Sequence, residues 1–271
     1  MTAVSIIVST YNRPDYLRRV IEGYRHQTVQ PLELVIADDG SSDETKRIVE
    51  EVKEQTSLKI SHIWQEDCGF RLAQIRNKAI AKSSGDYLII CDDDVIPHPR
   101  LVEDHLRYAE RGYFIQGHRV LIGEKVSSYF THRDISPLNI MRLTLTKQAA
   151  NSIISIFRFP LPLIRISKKI KGLRGCNMSF FRKDLIAVNG FNEDFIGWGK
   201  EDTELAIRFY KYGLFRKDVK FRACCFHLHH PPHPRENIER NMKLVEKAIA
   251  SASYLCANGL DKYFEPPNHE N

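Results

Sequence analysis

Between Asp134 and Asp184 the chain contains no aspartate or glutamate, and nowhere does it carry a CxxC pair, a GxGxxG or GxxxxGK[ST] loop, or an apolar run long enough to cross a bilayer. Each absence excludes something. Six cysteines, Cys68, Cys91, Cys176, Cys224, Cys225 and Cys256, lie without paired spacing, which argues against a zinc ribbon or a disulfide framework and for reduced, mostly buried thiols. The missing glycine-rich loops argue against the pyrophosphate-on-helix modes of dehydrogenases and P-loop proteins, so a nucleotide, if bound, is held differently. The opening MTAVSIIVSTYN has no basic region ahead of its short apolar run, so neither a signal peptide nor a transmembrane helix is expected, and a cytoplasmic location is the default.

Charge is unevenly spread. The net formal charge is +6, and the acid-free stretch holds Arg142, Lys147, Arg158, Arg165, Lys168, Lys169, Lys171, Arg174, Arg182 and Lys183. Interleaved with these are Ile153, Ile154, Ile156, Phe157, Phe159, Leu161, Leu163, Ile164 and Ile166. This mixture suits the surface of an anionic membrane or a phosphate-rich substrate, and equally a core helix with one basic face. No recognisable nucleic-acid module accompanies it, so nucleic acid is not an expected partner.

AVSIIVSTYN reads as a short, continuously apolar strand, followed by a helix from Pro14 with an apolar stripe of Leu17, Val20, Ile21 and Tyr24. The step repeats with LELVIA and DETKRIVEEVKEQT, KISHIWQ and RLAQIRNKAIAKSS, DYLIIC and HPRLVEDHLRYAER, and FIQGHRVLI adds a further strand. Strands apolar on both faces, alternating with amphipathic helices, predict an α/β fold with a largely parallel sheet covered on both sides. TELAIRFYKYG, capped at Gly213, and the tail RENIERNMKLVEKAIASASYL read as two more helices.

In such sheets ligands collect beyond the carboxyl ends of the strands. Asp92-Asp93-Asp94 follows the strand DYLIIC, and three adjacent carboxylates persist where a cation offsets them. Alternate residues Asp92 and Asp94 share one side, and hard oxygen donors suit Mg²⁺ or Mn²⁺ bridged to nucleotide phosphates. HLHHPPH offers an imidazole ligand, His227 first and His230 second. FIGWGKEDTEL places Glu201, Asp202 and Glu204 together, which suits a helix N-terminus as well as an acid cluster, while Trp198 suits the core.

VSIIVSTYNR, LVIADDGSSDE, GFRLAQIRNKAI, CDDDVIP and FIGWGKEDTEL, in this order, resemble the family 2 type glycosyltransferases with a GT-A fold, a Rossmann-like sheet with helices on both faces. The second half resembles the WGxED region of β-1,4-galactosyltransferase and chondroitin polymerase. The resemblance implies that Thr10, Tyr11, Arg13, Asp39, Arg71, Arg76, Asp92 and Asp93 bind the nucleotide, with Asp39 on the uracil N3–H and the two arginines Arg71 and Arg76 on the diphosphate. Asp94, Asp92 and His227 are implied as ligands of Mn²⁺ or Mg²⁺, with His229 and His230 as rivals of His227. Gly175 and Asn177, in GCNMSFF, match a segment lining the donor-sugar pocket. Asp202 matches the base of an inverting transfer, with Glu201 and Trp198 holding the acceptor. Two positions depart from the pattern: Lys200 replaces a commoner glycine, and Thr203 stands where some relatives have an aspartate.

The expected organisation is one continuous unit with a nucleotide-sugar half (1–124), a basic apolar insert contacting membrane or acceptor (125–172) and an acceptor-binding, catalytic half (173–271). The expected activity is inverting, metal-dependent transfer of a hexose or N-acetylhexosamine from a UDP-sugar to a glycan or lipid-linked acceptor, in polysaccharide or lipopolysaccharide synthesis at the inner face of the cytoplasmic membrane. A nucleotidyltransferase or a non-catalytic sugar-nucleotide-binding protein are the alternatives.

Overall fold

The computed structural model describes residues 2–152 and 163–264. The first half alternates strand and helix: β1 (Val4–Thr10), α1 (Pro14–Arg25), β2 (Glu33–Asp38), α2 (Asp43–Glu54), β3 (Ile60–Trp64), α3 (Leu72–Lys82) and β4 (Tyr87–Asp92). Strands β3, β2, β1 and β4 lie side by side in parallel register. Alternation along each strand divides the core. Val4, Ile6 and Val8 pack with Leu17, Val20 and Ile21 of α1 on one face, whereas Ile7, Val35 and Ala37 pack with Ala73, Ile75 and Ile80 of α3 on the other. Both faces being covered explains why the centres of β1, β2 and β4 are continuously apolar.

After β4 come β5 (Val95–Pro97), α4 (Leu101–Tyr108), β6 (Tyr113–Gln116), β7 (His118–Ile122), α5 (Glu124–Ser127), α6 (Pro137–Leu145), β8 (Ala149–Ala150), β9 (Ile164–Ser167) and β10 (Asn177–Phe181). The chain continues through α7 (Arg182–Ala187), α8 (Glu201–Tyr212), β11 (Phe215–Val219), β12 (Cys224–His227) and α9 (Ile238–Ala250). An eight-stranded sheet runs β3-β2-β1-β4-β10-β6-β11-β9, and a four-stranded sheet runs β5-β12-β7-β8. The expected largely parallel sheet is parallel only in part, because β10 runs antiparallel to both β4 and β6, and β9 antiparallel to β11.

FIQGHRVLI is not one strand. It breaks at Gly117, with β6 in the large sheet and β7 in the small one. A Cβ at Gly117 would overlap the Asn177 amide, which donates to the carbonyls of His118 (3.1 Å) and Ala223 (2.9 Å) and stitches the two sheets together.

In the basic stretch, Arg158 and the apolar residues Ile153, Ile154, Ile156, Phe157, Phe159 and Leu161 lie outside the described residues. Leu163, Ile164 and Ile166 are exposed on and beside β9. The Lys168 ammonium bonds the Tyr210 carbonyl and sits 4.6 Å from the centre of the Phe215 ring. Cys68 is exposed, and the other five cysteines are buried. Among the described residues no helix is long and apolar enough to cross a membrane.

Candidate active site

Six chain segments meet at the carboxyl ends of β1, β2 and β4: the three loops after these strands, the residues before β10, the start of α8, and the end of β12. They enclose a cleft of about 970 Å³. Its wall includes Thr10, Tyr11, Arg13, Asp39, Arg76, Asp92, Asp93, Asp94, Gly175, Trp198, Glu201, Asp202 and His227, all singled out from sequence.

Asp92 ends β4, level with Ser9 of β1, and the chain then turns through Asp93 and Asp94. Asp93 turns back toward β1, accepting the Thr10 hydroxyl at 2.7 Å and the Tyr11 N–H at 3.4 Å. Burial pushes the Asp92 and Asp93 carboxyls up, with Asp94 next to them adding to the repulsion. Arg13 answers part of it, donating to Asp94 Oδ2 at 2.9 Å.

The cluster fits a divalent cation. Asp94, His227 and His230 present one ligand atom each within 4.8 Å of one another. Asp94 Oδ1 is buried with no hydrogen-bond partner among the described residues, and lies 3.6 Å from His227 Nε2. His230 Nε2 lies 3.2 Å from Asp94 Oδ2. Burial lowers the His227 imidazole below its ordinary range, which favours the neutral ring a metal requires. An orphaned carboxylate oxygen beside two imidazoles is the donor set that Mn²⁺ accepts. His229 stays exposed outside this cluster, its backbone N–H held by Ser127 Oγ at 2.7 Å.

Arg76 is fully buried under the cleft. Its guanidinium reaches Ser9 Oγ at 3.0 Å, Asp92 at 2.8 Å and Glu201 at 3.2 Å, so it ties β1, β4 and α8 together. The Glu201 carboxyl is pushed up to about 7 by burial and by Asp202 beside it, against the pull of Arg76. Asp202 is fixed differently: the Gly175 N–H donates to Oδ2 at 2.8 Å, and the Thr203 hydroxyl to Oδ1 at 3.1 Å. Glu201, Asp202 and Glu204 all lie in the first turn of α8, where the backbone N–H groups present the positive end of the helix dipole. Glu204 points away and forms a buried pair with Arg208.

Asp39 opens the loop after β2. It accepts the Arg71 N–H at 2.7 Å and the Gln65 amide at 2.6 Å, yet burial outweighs both and pushes the carboxyl up to about 6. Arg71 thus contributes its backbone, and its side chain is not part of the cleft wall. Trp198 is 38% exposed and faces the cleft, with the Arg235 guanidinium 5.5 Å from its ring centre.

Two expected roles are not placed in the cleft wall: the Arg71 side chain lies outside it, and so does Asn177, whose amide N–H groups donate to the His118 carbonyl of β7 and the Ala223 carbonyl before β12 while its oxygen meets His105 Nε2 at 2.9 Å. Conversely, Arg119, Arg174, Phe70, His233 and Arg235 line the cleft without having been singled out as its residues. No local pattern marks them; the break at Gly117 and the pairing of β10 bring the first two in.

Residues 5–188 match the model of "Glycosyl transferase family 2", and residues 157–231 match "N-terminal domain of galactosyltransferase". The chain is 26% identical to a chondroitin synthase of Escherichia coli, covering 88% of this chain and 36% of that protein. It is 29% identical to a validoxylamine A glucosyltransferase of Streptomyces hygroscopicus subsp. limoneus, covering 78% and 48%. It therefore spans about a third to a half of these curated relatives. Residues 1–349 of S. aureus TarS, solved with UDP-GlcNAc, superpose with a TM-score of 0.64 at 18% identity, covering 96% of this chain and 69% of that one. Its sheet, its cleft at the carboxyl ends of the strands and the matched family model place the chain in glycosyltransferase family 2, with a GT-A fold.

Proposed function

We propose that the protein transfers a sugar of the hexose class from a UDP-sugar to a glycan or lipid-linked acceptor, with inversion at the anomeric carbon, in the synthesis of a cell-surface polysaccharide or lipopolysaccharide. The observation carrying this reading is that Asp202, held by Gly175 and Thr203, opens into the same cleft as the Asp94–His227–His230 cluster. An acceptor hydroxyl is a weak nucleophile until a positioned carboxylate takes its proton. Asp202 accepts that proton as the acceptor oxygen bonds to C1, the bond from C1 to the diphosphate breaks on the opposite face, and an α-linked donor yields a β-glycoside. Asp94, His227 and His230 would hold Mn²⁺ or Mg²⁺, which supplies positive charge for the leaving diphosphate. Asp39 accepts the uracil N3–H, Arg13 stands beside the phosphates, and Glu201 and Trp198 hold the acceptor sugar.

The exposed basic and apolar residues around β9 bring the enzyme against anionic lipid at the inner face of the cytoplasmic membrane, each lysine contributing on the order of 1 kcal/mol. A panel of UDP-, GDP- and CDP-sugars, followed by nucleotide release with Mn²⁺, Mg²⁺ or chelator, tests the main reading. Release from UDP-sugars alone, abolished by chelator, is expected. Turnover confined to GDP- or CDP-sugars would remove the uracil role of Asp39, and turnover in chelator would remove the metal.

A further inference from the structure

The charges lining the cleft are compensated at one end and uncompensated at the other. Beside Asp92 and Asp94, Arg76 and Arg13 meet carboxylates at 2.8 and 2.9 Å. Arg119 on β7 and Arg174 just before β10 also line the cleft, but neither meets a carboxylate among the described residues. Sequence explains this, since no acid occurs between Asp134 and Asp184 to serve Arg174 locally. The Nε of Arg119 is buried with no hydrogen-bond partner among the described residues, and its Nη1 reaches only the Cys176 sulfur, 3.9 Å away. That thiol is pushed up to about 12 by burial, so it is neutral and offers no countercharge. Burial and then the neighbouring charge of Arg119 lower the pKa of Arg174. Two adjacent guanidiniums without an acid are costly unless an anion completes them.

Their position selects the anion. Gly175, next to Arg174, anchors Asp202, and Arg119 pairs across β7 and β12 with Cys225, two residues before His227. The two arginines thus belong to the segments that carry the base and the metal-binding cluster, and both line the cleft these share. We propose that Arg119 and Arg174 seat a carboxylate carried by the transferred sugar, making the donor a nucleoside-diphosphate hexuronate, a hexose oxidised at C6. The guanidinium fork matches a carboxylate in two parallel hydrogen bonds, which a neutral hydroxymethyl group cannot reproduce. This narrows the donor of the proposed transfer and rests on that reading.

Calorimetric titration of the full chain with Mn²⁺ tests it, using UDP, UDP-glucose, UDP-galactose, UDP-glucuronate and UDP-galacturonate. At least one uronate is expected to bind about tenfold or more tightly than its neutral counterpart. Arg119→Met and Arg174→Met should each erase that difference while changing UDP and UDP-glucose affinity by less than about twofold. Neither variant should melt earlier than the wild type, because each removes an uncompensated charge; Arg174→Lys, which keeps the charge, should retain part of the preference. Equal binding of uronate and neutral sugar by the wild type overturns the proposal. So does an equal loss for UDP, UDP-glucose and uronate in the variants, which assigns the pair to the diphosphate. Failure of UDP itself to bind overturns the donor reading and this inference with it, whereas UDP binding without a uronate preference overturns this inference alone.

Discussion

Lys200 adopts φ 84°, ψ −8° immediately before Glu201, a left-handed conformation that costs an L side chain about 1–2 kcal/mol and glycine almost nothing. A glycine at this place would have a backbone reason, and Lys200 holds the conformation at a cost. Lys200→Gly is expected to stabilise the fold by about 1 kcal/mol, raising Tm by roughly 2–4 °C in a scanning melt. Asp39 gives a prediction in pH. Its carboxyl is pushed up to about 6, chiefly by burial, so it is ionised at neutral pH and takes a proton as pH falls through about 6. UDP affinity should fall across that window, and titrations of Asp39→Asn should be flat there. Stability moves the opposite way: a raised folded-state pKa favours the protonated fold, so the contribution of Asp39 is full below its ordinary carboxylate range and lost as pH rises through 6. At this scale sequence was informative where residue type itself carries chemistry, as in Asp94, His227 and Asp202. It was silent on Arg119 and Arg174, whose role comes from the absence of a partner in space, and it misplaced Asn177, whose amide is used by backbone from two other segments.

Elements in the first half were legible because β1, β2 and β4 are buried on both faces and the helices between them carry apolar faces, so the switch in period marks their boundaries. The break inside FIQGHRVLI was not, because the apolar pattern runs on through Gly117 while the strand partner changes. Arg76 joins the elements that were read separately. Leaving its acidic partners buried and unpaired is expensive, so Arg76→Met should destabilise the protein by about 3–5 kcal/mol in denaturant unfolding, far more than the same change at exposed Arg133. A loss under about 1 kcal/mol would mean that Asp92 and Glu201 are neutral in the fold or held by other groups.

Across the whole molecule, the second half completes the sheet begun by the first. Strand β10 inserts antiparallel beside β4 and carries Gly175 to Asp202, while β12 returns through the small sheet to set His227 beside Asp94. Sequence order could suggest that these segments meet, as the resemblance to known glycosyltransferases did, but not which sheet each joins, since strands of a few residues pair by distant contacts. The proposed transfer turns on one residue at the meeting point of these parts, Asp202. The most direct measurement is transfer by Asp202→Asn with a UDP-sugar, Mn²⁺ and an acceptor, alongside UDP affinity. UDP binding within about twofold of wild type and a turnover loss of about 100- to 10,000-fold are expected; transfer by the variant within a few-fold of wild type would rule Asp202 out as the base.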